Sequence, residues 1–128
     1  MNNRYKFVVF DFDGVVCDST NECMVTAWNA WERWNDRAGF RQDLLEFSQT
    51  EKDIFHPLRP YVRGAGEYYT LMRVINSPTN SFKNQEEFDQ LCKRWKNNVE
   101  SFKKIFFKER KRLKNENISA WINLHEVF

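Results

Sequence analysis

The run Tyr5-Lys6-Phe7-Val8-Val9-Phe10-Asp11-Phe12-Asp13-Gly14-Val15-Val16-Cys17-Asp18-Ser19 decides how the rest of the chain is read. Phe7 to Phe10 is short, apolar, β-branched and aromatic, and predicts a buried strand. It stops at the carboxylate of Asp11, and a second carboxylate, Asp13, follows two residues later. Gly14 then supplies a residue free to enter a tight turn. Ser19-Thr20-Asn21-Glu22 has the pattern of a capping box and opens a helix.

Two aspartates at the carboxyl end of a buried strand are costly by themselves, because their charges repel and desolvation raises their pKa values. A divalent cation removes both problems, and Mg²⁺ prefers oxygen ligands. Carboxyl ends of strands are also where open α/β sheets place ligands. One carboxylate can act as a nucleophile and form an aspartyl-phosphate. A neighbour two positions on can serve as general acid and base. An Asp-x-Asp pair alone is a weak signal and is better read as a solvated Asp-Gly turn. The nine-residue run Asp11 to Ser19, placed behind an apolar strand, is far more specific.

That run, Asp-x-Asp-Gly-x-x-x-Asp-Ser, resembles the first motif of the haloacid dehalogenase (HAD) superfamily. The resemblance implies a Rossmann-like α/β core, a helical cap inserted after the motif, and a Mg²⁺-dependent phosphatase or phosphomutase mechanism. It implies Asp11 as nucleophile and metal ligand. It implies Asp13 as general acid/base with its backbone carbonyl on the metal, and Gly14 beside the substrate. The match covers residues 6 to 19. A looser resemblance to a cap rests on a helical pattern and on the segment Leu58-Arg59-Pro60-Tyr61-Val62-Arg63-Gly64-Ala65-Gly66-Glu67-Tyr68. The expected organisation is strand and catalytic turn over residues 1–18, cap over 19–117, and a linker returning towards the core over 118–128. The expected fold is mainly α with one N-terminal strand.

With 128 residues the chain suits one small domain or a domain and a half. Hydrophobic residues at 41% and charged residues at 30% indicate a globular chain rather than a disordered one. Twelve Phe and five Trp supply large buried surfaces from few residues. A net charge of +2 argues for neither nucleic acid nor a membrane surface as partner. No apolar run reaches the ~18 residues of a membrane-spanning helix. The N-terminus has no signal-peptide pattern. Three cysteines, an odd number, fit a reduced, cytoplasmic protein. A zinc site from Cys17, Cys23, Cys92, His56 and His125 has no recognised spacing.

Further along, a helix is expected from Ser19 to about Ala38, with Met24, Trp28, Trp31 and Asn35 on one face and Gly39 as its stop. Residues Asp43 to Phe47 predict a helical turn. Ser48 to Glu51 and His56 to Pro60 read as loop and helix start, with Pro60 at a first helical position. A second helix is expected from Pro60 to about Asn76. On it Arg59, Arg63 and Glu67, spaced by four, share one face towards a substrate, against the plainer reading of two surface arginines and an Arg63–Glu67 ion pair. Residues 77–84 predict a loop. Third and fourth helices follow over about Gln85–Asn97 and Val99–Lys114, with Phe88, Leu91, Cys92, Trp95, Phe102, Ile105, Phe106 and Leu113 inward. Lys103, Lys104, Lys108, Arg110, Lys111, Arg112 and Lys114 are expected on a mostly solvated face.

After Phe10 no second buried strand is evident, and a parallel strand needs partners. Nor do the 128 residues hold a strand-borne Ser or Thr for phosphate, a Lys, or a further carboxylate pair of the kind the resemblance implies. The chain therefore reads as the N-terminal part of a HAD-like hydrolase, inactive alone, for a small phosphorylated or carboxylated substrate. Its unpaired strand implies a homo-oligomer or a C-terminal partner chain. Two other readings stand beside it: a non-catalytic helical interaction module, and a small metal-binding regulatory protein built on Asp11 and Asp13.

Overall fold

A computed structural model describes residues 17–18, 20–77, 79–116 and 126–127. The expected strand, Asp11, Asp13 and Gly14 lie outside the described residues. The described chain is mainly α: helices α1 (Thr20–Trp34), α2 (Gln49–Leu58), α3 (Tyr68–Asn76), α4 (Gln85–Arg94) and α5 (Lys96–Glu116). A two-residue strand β1 (Cys17–Asp18) pairs antiparallel with β2 (Glu126–Val127), Cys17 opposite Val127 and Asp18 opposite Glu126. Nothing among the described residues supports the Rossmann-like core, because this antiparallel pairing is the one sheet they contain.

Helix α1 is the centre of the packing. Of the expected face Met24 and Trp31 are buried, Trp28 is half-buried and Asn35 is exposed, while Val25, Thr26, Ala27, Asn29 and Ala30 are buried too. The helix ends at Trp34, not Ala38. Asp36 takes a left-handed conformation (φ 57°), Arg37 N–H donates to the Glu32 carbonyl at 2.8 Å, and Asp36 N–H donates to that of Arg33 at 3.1 Å. This is a Schellman ending with aspartate where glycine is usual. Gly39, expected as the stop, instead lets the chain pass close to α1. Its N–H donates to Glu32 Oε1 at 2.9 Å, and a Cβ there would sit 2.5 Å from that oxygen.

The expected turn at 43–47 is a 3₁₀ turn, Leu44–Glu46, closed by a capping box between Asp43 and Glu46. Helix α2 is masked in the sequence by its prolines. A second capping box, Ser48 with Glu51, starts it, and Pro57, which lacks a backbone N–H, lies inside it one residue before its end. Arg41 straps the intervening loop down. Its guanidinium lies 4.1 Å over the Trp28 ring and 4.5 Å from Phe47. It also grips Glu51 at 2.8 and 3.2 Å, which holds that carboxyl below the usual range.

The expected helix from Pro60 to Asn76 is broken in two. A 3₁₀ turn, Arg59–Tyr61, gives way to extended backbone at Val62 and Gly64, then to a second turn, Ala65–Glu67, before α3. Gly66, in the second of these turns, lies against α5, where a Cβ on it would meet the Val99 carbonyl at 2.5 Å. Helices α4 and α5 meet at Trp95, and α5 starts at Lys96 rather than Val99.

Helices α1 and α5 run antiparallel: Glu22 near the start of α1 meets Arg110 late in α5, and Trp34 at the end of α1 meets Phe102. Phe88, Phe102, Phe106, Met24, Leu71 and Met72 are fully buried, each contributing about 1.5–3 kcal/mol by leaving water. Tyr68 stacks between Phe106 at 4.9 Å and Phe55 at 6.2 Å. The basic face of α5 needs correction. Arg110 and Arg112 are half-buried and paired, because Glu22 and Glu109 lie inside the protein and require cations.

Candidate functional site

A cavity of about 160 Å³ opens beside the first turn of α1. Arg59, Arg63 and Arg110 line it, with Cys23 and Tyr68 deeper and Phe106 and Phe107 beside them. Each group arrives on a different element. Cys23 comes from α1, Arg59 from the 3₁₀ turn after α2, and Arg63 from the extended link. Tyr68 is the first residue of α3, and the phenylalanines and Arg110 come from α5.

Arg110 is the fixed cation. Its Nε and Nη2 donate to Glu22 at 3.0 and 2.8 Å, and Nη2 reaches Cys23 Sγ at 3.4 Å. Glu22 is 2% exposed and also accepts from Thr26 Oγ1 at 2.5 Å. The Phe106 ring lies 5.0 Å beneath the guanidinium. Arg63 stands at the rim with its side chain 63% exposed, donating from Nη1 to Asp89 at 3.0 Å. Deeper in, desolvation pushes the Cys23 thiol up to about 11, with Glu22 adding to the rise. Desolvation likewise pushes the Tyr68 hydroxyl well above its ordinary value. Both groups are therefore neutral at physiological pH.

Arg59 and Arg63 thus meet in one cavity, but not as a helical face. The break at Val62–Gly64 brings them together, and Glu67 takes another part, accepting the Arg63 backbone N–H at 2.8 Å. The expected Arg63–Glu67 side-chain pair is replaced by Arg63–Asp89. Sequence spacing does not place Arg110, Cys23 and Tyr68 beside these arginines. A signal exists for Arg110, which follows Phe102 and Phe106 at intervals of four and so shares their inward face.

A second cavity of about 210 Å³, between α1, α2 and α3, is mostly apolar and lined by Met24, Trp28, Ile54, Phe55, Met72 and Ile75 among others. Among the described residues no group of three or more His, Cys, Asp or Glu could hold a metal ion. No described helix is long and apolar enough to cross a membrane. Comparisons with protein-family profiles, curated proteins and solved structures find no match.

Proposed function

We propose that this chain carries the catalytic turn and helical cap of a HAD-like, Mg²⁺-dependent phosphatase or related hydrolase acting on a small anionic substrate. The observation that carries the reading is adjacency. Cys23, in the arginine-lined cavity, is four residues beyond Ser19, the last residue of the Asp11–Ser19 run. A cation-rich cavity thus opens where the helix leaves the expected catalytic turn.

In this reading the Asp11 carboxylate attacks phosphorus, and the ester oxygen leaves with a proton from Asp13. Asp13 then takes a proton from water, whose oxygen attacks the aspartyl-phosphate, freeing inorganic phosphate and restoring Asp11. Asp11 and Asp13 would also hold the cation, and their hard oxygen donors fit Mg²⁺. When bound, the ion neutralises charge on the phosphoryl oxygens. The run Asp11–Ser19 offers the metal few ligands and brings no cationic side chain to the transferring phosphoryl group, so the proposal includes inactivity of the isolated chain.

Calorimetric titration with Mg²⁺ tests the assignment of Asp11. Weak binding is expected, since a hard cation takes about six oxygens and the motif offers few. Asp11→Asn should abolish it. Tight binding that survives the substitution would overturn the reading.

A further inference from the structure

We propose that the outer side of α5 docks this chain onto an anionic lipid surface, its lysines held at the headgroups and Phe107 entering the interface between them.

The periodicity of α5 separates its lysines from its arginines. At about 3.6 residues per turn, Lys96, Lys103, Lys104, Lys108, Lys111 and Lys114 fall within an arc of roughly 140°. That arc lies opposite Phe102, Phe106 and Leu113, which are buried. All six lysines are exposed. Arg110 and Arg112 lie outside the arc and pair with the buried Glu22 and Glu109. Among the described residues no lysine forms an ion pair. Glu100 is the one carboxylate on the arc. Lys93 and Arg94, exposed in the last turn of α4, extend the charge beyond Lys96. The net charge of +2 is a whole-chain figure and does not describe this ridge.

The lysines do little for the fold itself. Lys104 and Lys108 stand four apart, and Lys108, Lys111 and Lys114 three apart. At these spacings like charges oppose helix formation. Of the six, Lys114 alone lies in the last turn, where the helix dipole favours a cation. An anionic partner relieves the repulsion.

Three features select a lipid surface among polyanions. A single helix presents a convex ridge, and a plane meets the whole row of charges, spread over about 27 Å at 1.5 Å per residue. The cations of the arc are lysines, point charges suited to a diffuse field, whereas bidentate reading of bases or phosphates calls for the arginine fork. Phe107, 47% exposed, stands on the same arc between Lys104 and Lys108. An aromatic ring set among lysines gains by leaving water at the boundary of headgroups and acyl chains.

The test mixes the full chain with vesicles of phosphatidylcholine alone, and with vesicles of equal parts phosphatidylcholine and phosphatidylserine. The bound fraction is measured by sedimentation over rising sodium chloride. Binding is expected to the mixed vesicles only, weakening as salt screens the charges. Replacing Lys103, Lys104, Lys108 and Lys111 together by Gln should weaken binding by more than about a hundredfold, at about fivefold per charge. The same four positions as Arg should bind like the parent, which separates loss of charge from loss of fold. Phe107→Ser should weaken binding about tenfold while leaving the salt dependence in place. Equal binding to both vesicles, or a four-Gln variant that binds like the parent, would overturn the proposal. So would tighter binding to a DNA duplex than to the mixed vesicles at equal anionic charge.

Discussion

Arg110 and Arg63 line one cavity, yet their removal should have very different consequences for stability. Arg110 neutralises Glu22, a carboxylate shut away from water. Arg110→Ala should therefore cost about 3 kcal/mol in urea unfolding, mostly as the penalty of a stranded buried charge. Replacing both partners, Glu22→Met with Arg110→Met, should recover most of that loss. Arg63→Ala breaks only an exposed pair and should stay within about 1 kcal/mol.

Cys23 sets a second expectation at this scale. Its thiol rises from an ordinary 9.0 to about 11 on burial, so the folded chain keeps the proton that the unfolded chain releases. Stability from this source is intact below pH 9 and falls as pH rises from 9 towards 11. Cys92, also pushed up to about 11 by burial, acts in the same direction. Thermal melts across that window should show a declining Tm, and a flat profile would remove desolvation of these thiols as a factor. Neither the burial of Cys23 nor that of Glu22 is legible in the sequence, since both depend on α5 arriving from nearly ninety residues away.

Among the elements, the glycines of the link before α3 separate packing from backbone freedom. Gly66→Ala should destabilise by about 2 kcal/mol or more, because its Cβ would collide with the Val99 carbonyl on α5. Gly64→Ala meets open space and should change stability by well under about 1 kcal/mol. Equal effects in a denaturant series would refute the close approach of this link to α5. The end of α1 gives a parallel case. Asp36→Gly should be neutral to mildly stabilising and Asp36→Val should cost about 1–2 kcal/mol, since φ is 57° there.

Much of this level is legible in the sequence. The helical turn near residues 43–47, the loop between α3 and α4 and the inward aromatics Phe88, Phe102 and Phe106 follow directly from spacing. Helix α2 escapes such a reading because Pro57 and Pro60 look like breakers, although the helix runs one residue past Pro57 before it ends. The helix expected over Pro60–Asn76 is overextended for the opposite reason. Its i, i+4 arginines suggest continuity, whereas the backbone is extended at Val62 and Gly64 and the turn after them packs Gly66 against α5.

Across the molecule, the helical layer begins just after β1, and β2 returns to lie antiparallel beside it. The two strands that flank the helical layer in the chain are thus neighbours in space. The cavity sits near the start of α1. In the proposed reading the Asp11–Asp13 turn supplies the chemistry. The candidate chemistry is legible from nine consecutive residues, because it is local. The cavity is half legible, through Arg59 and Arg63, because the rest of it is assembled from separate elements.

The most direct measurement is Mg²⁺-dependent hydrolysis of a generic phosphate ester. It is made with the chain alone, then with the chain mixed with a separately prepared C-terminal half of a related core. Turnover is expected in the mixture, with little in the chain alone and loss of activity in the mixture on Asp11→Asn. Hydrolysis by the chain that is undiminished in Asp11→Asn would contradict the proposed aspartyl nucleophile and the incomplete site together.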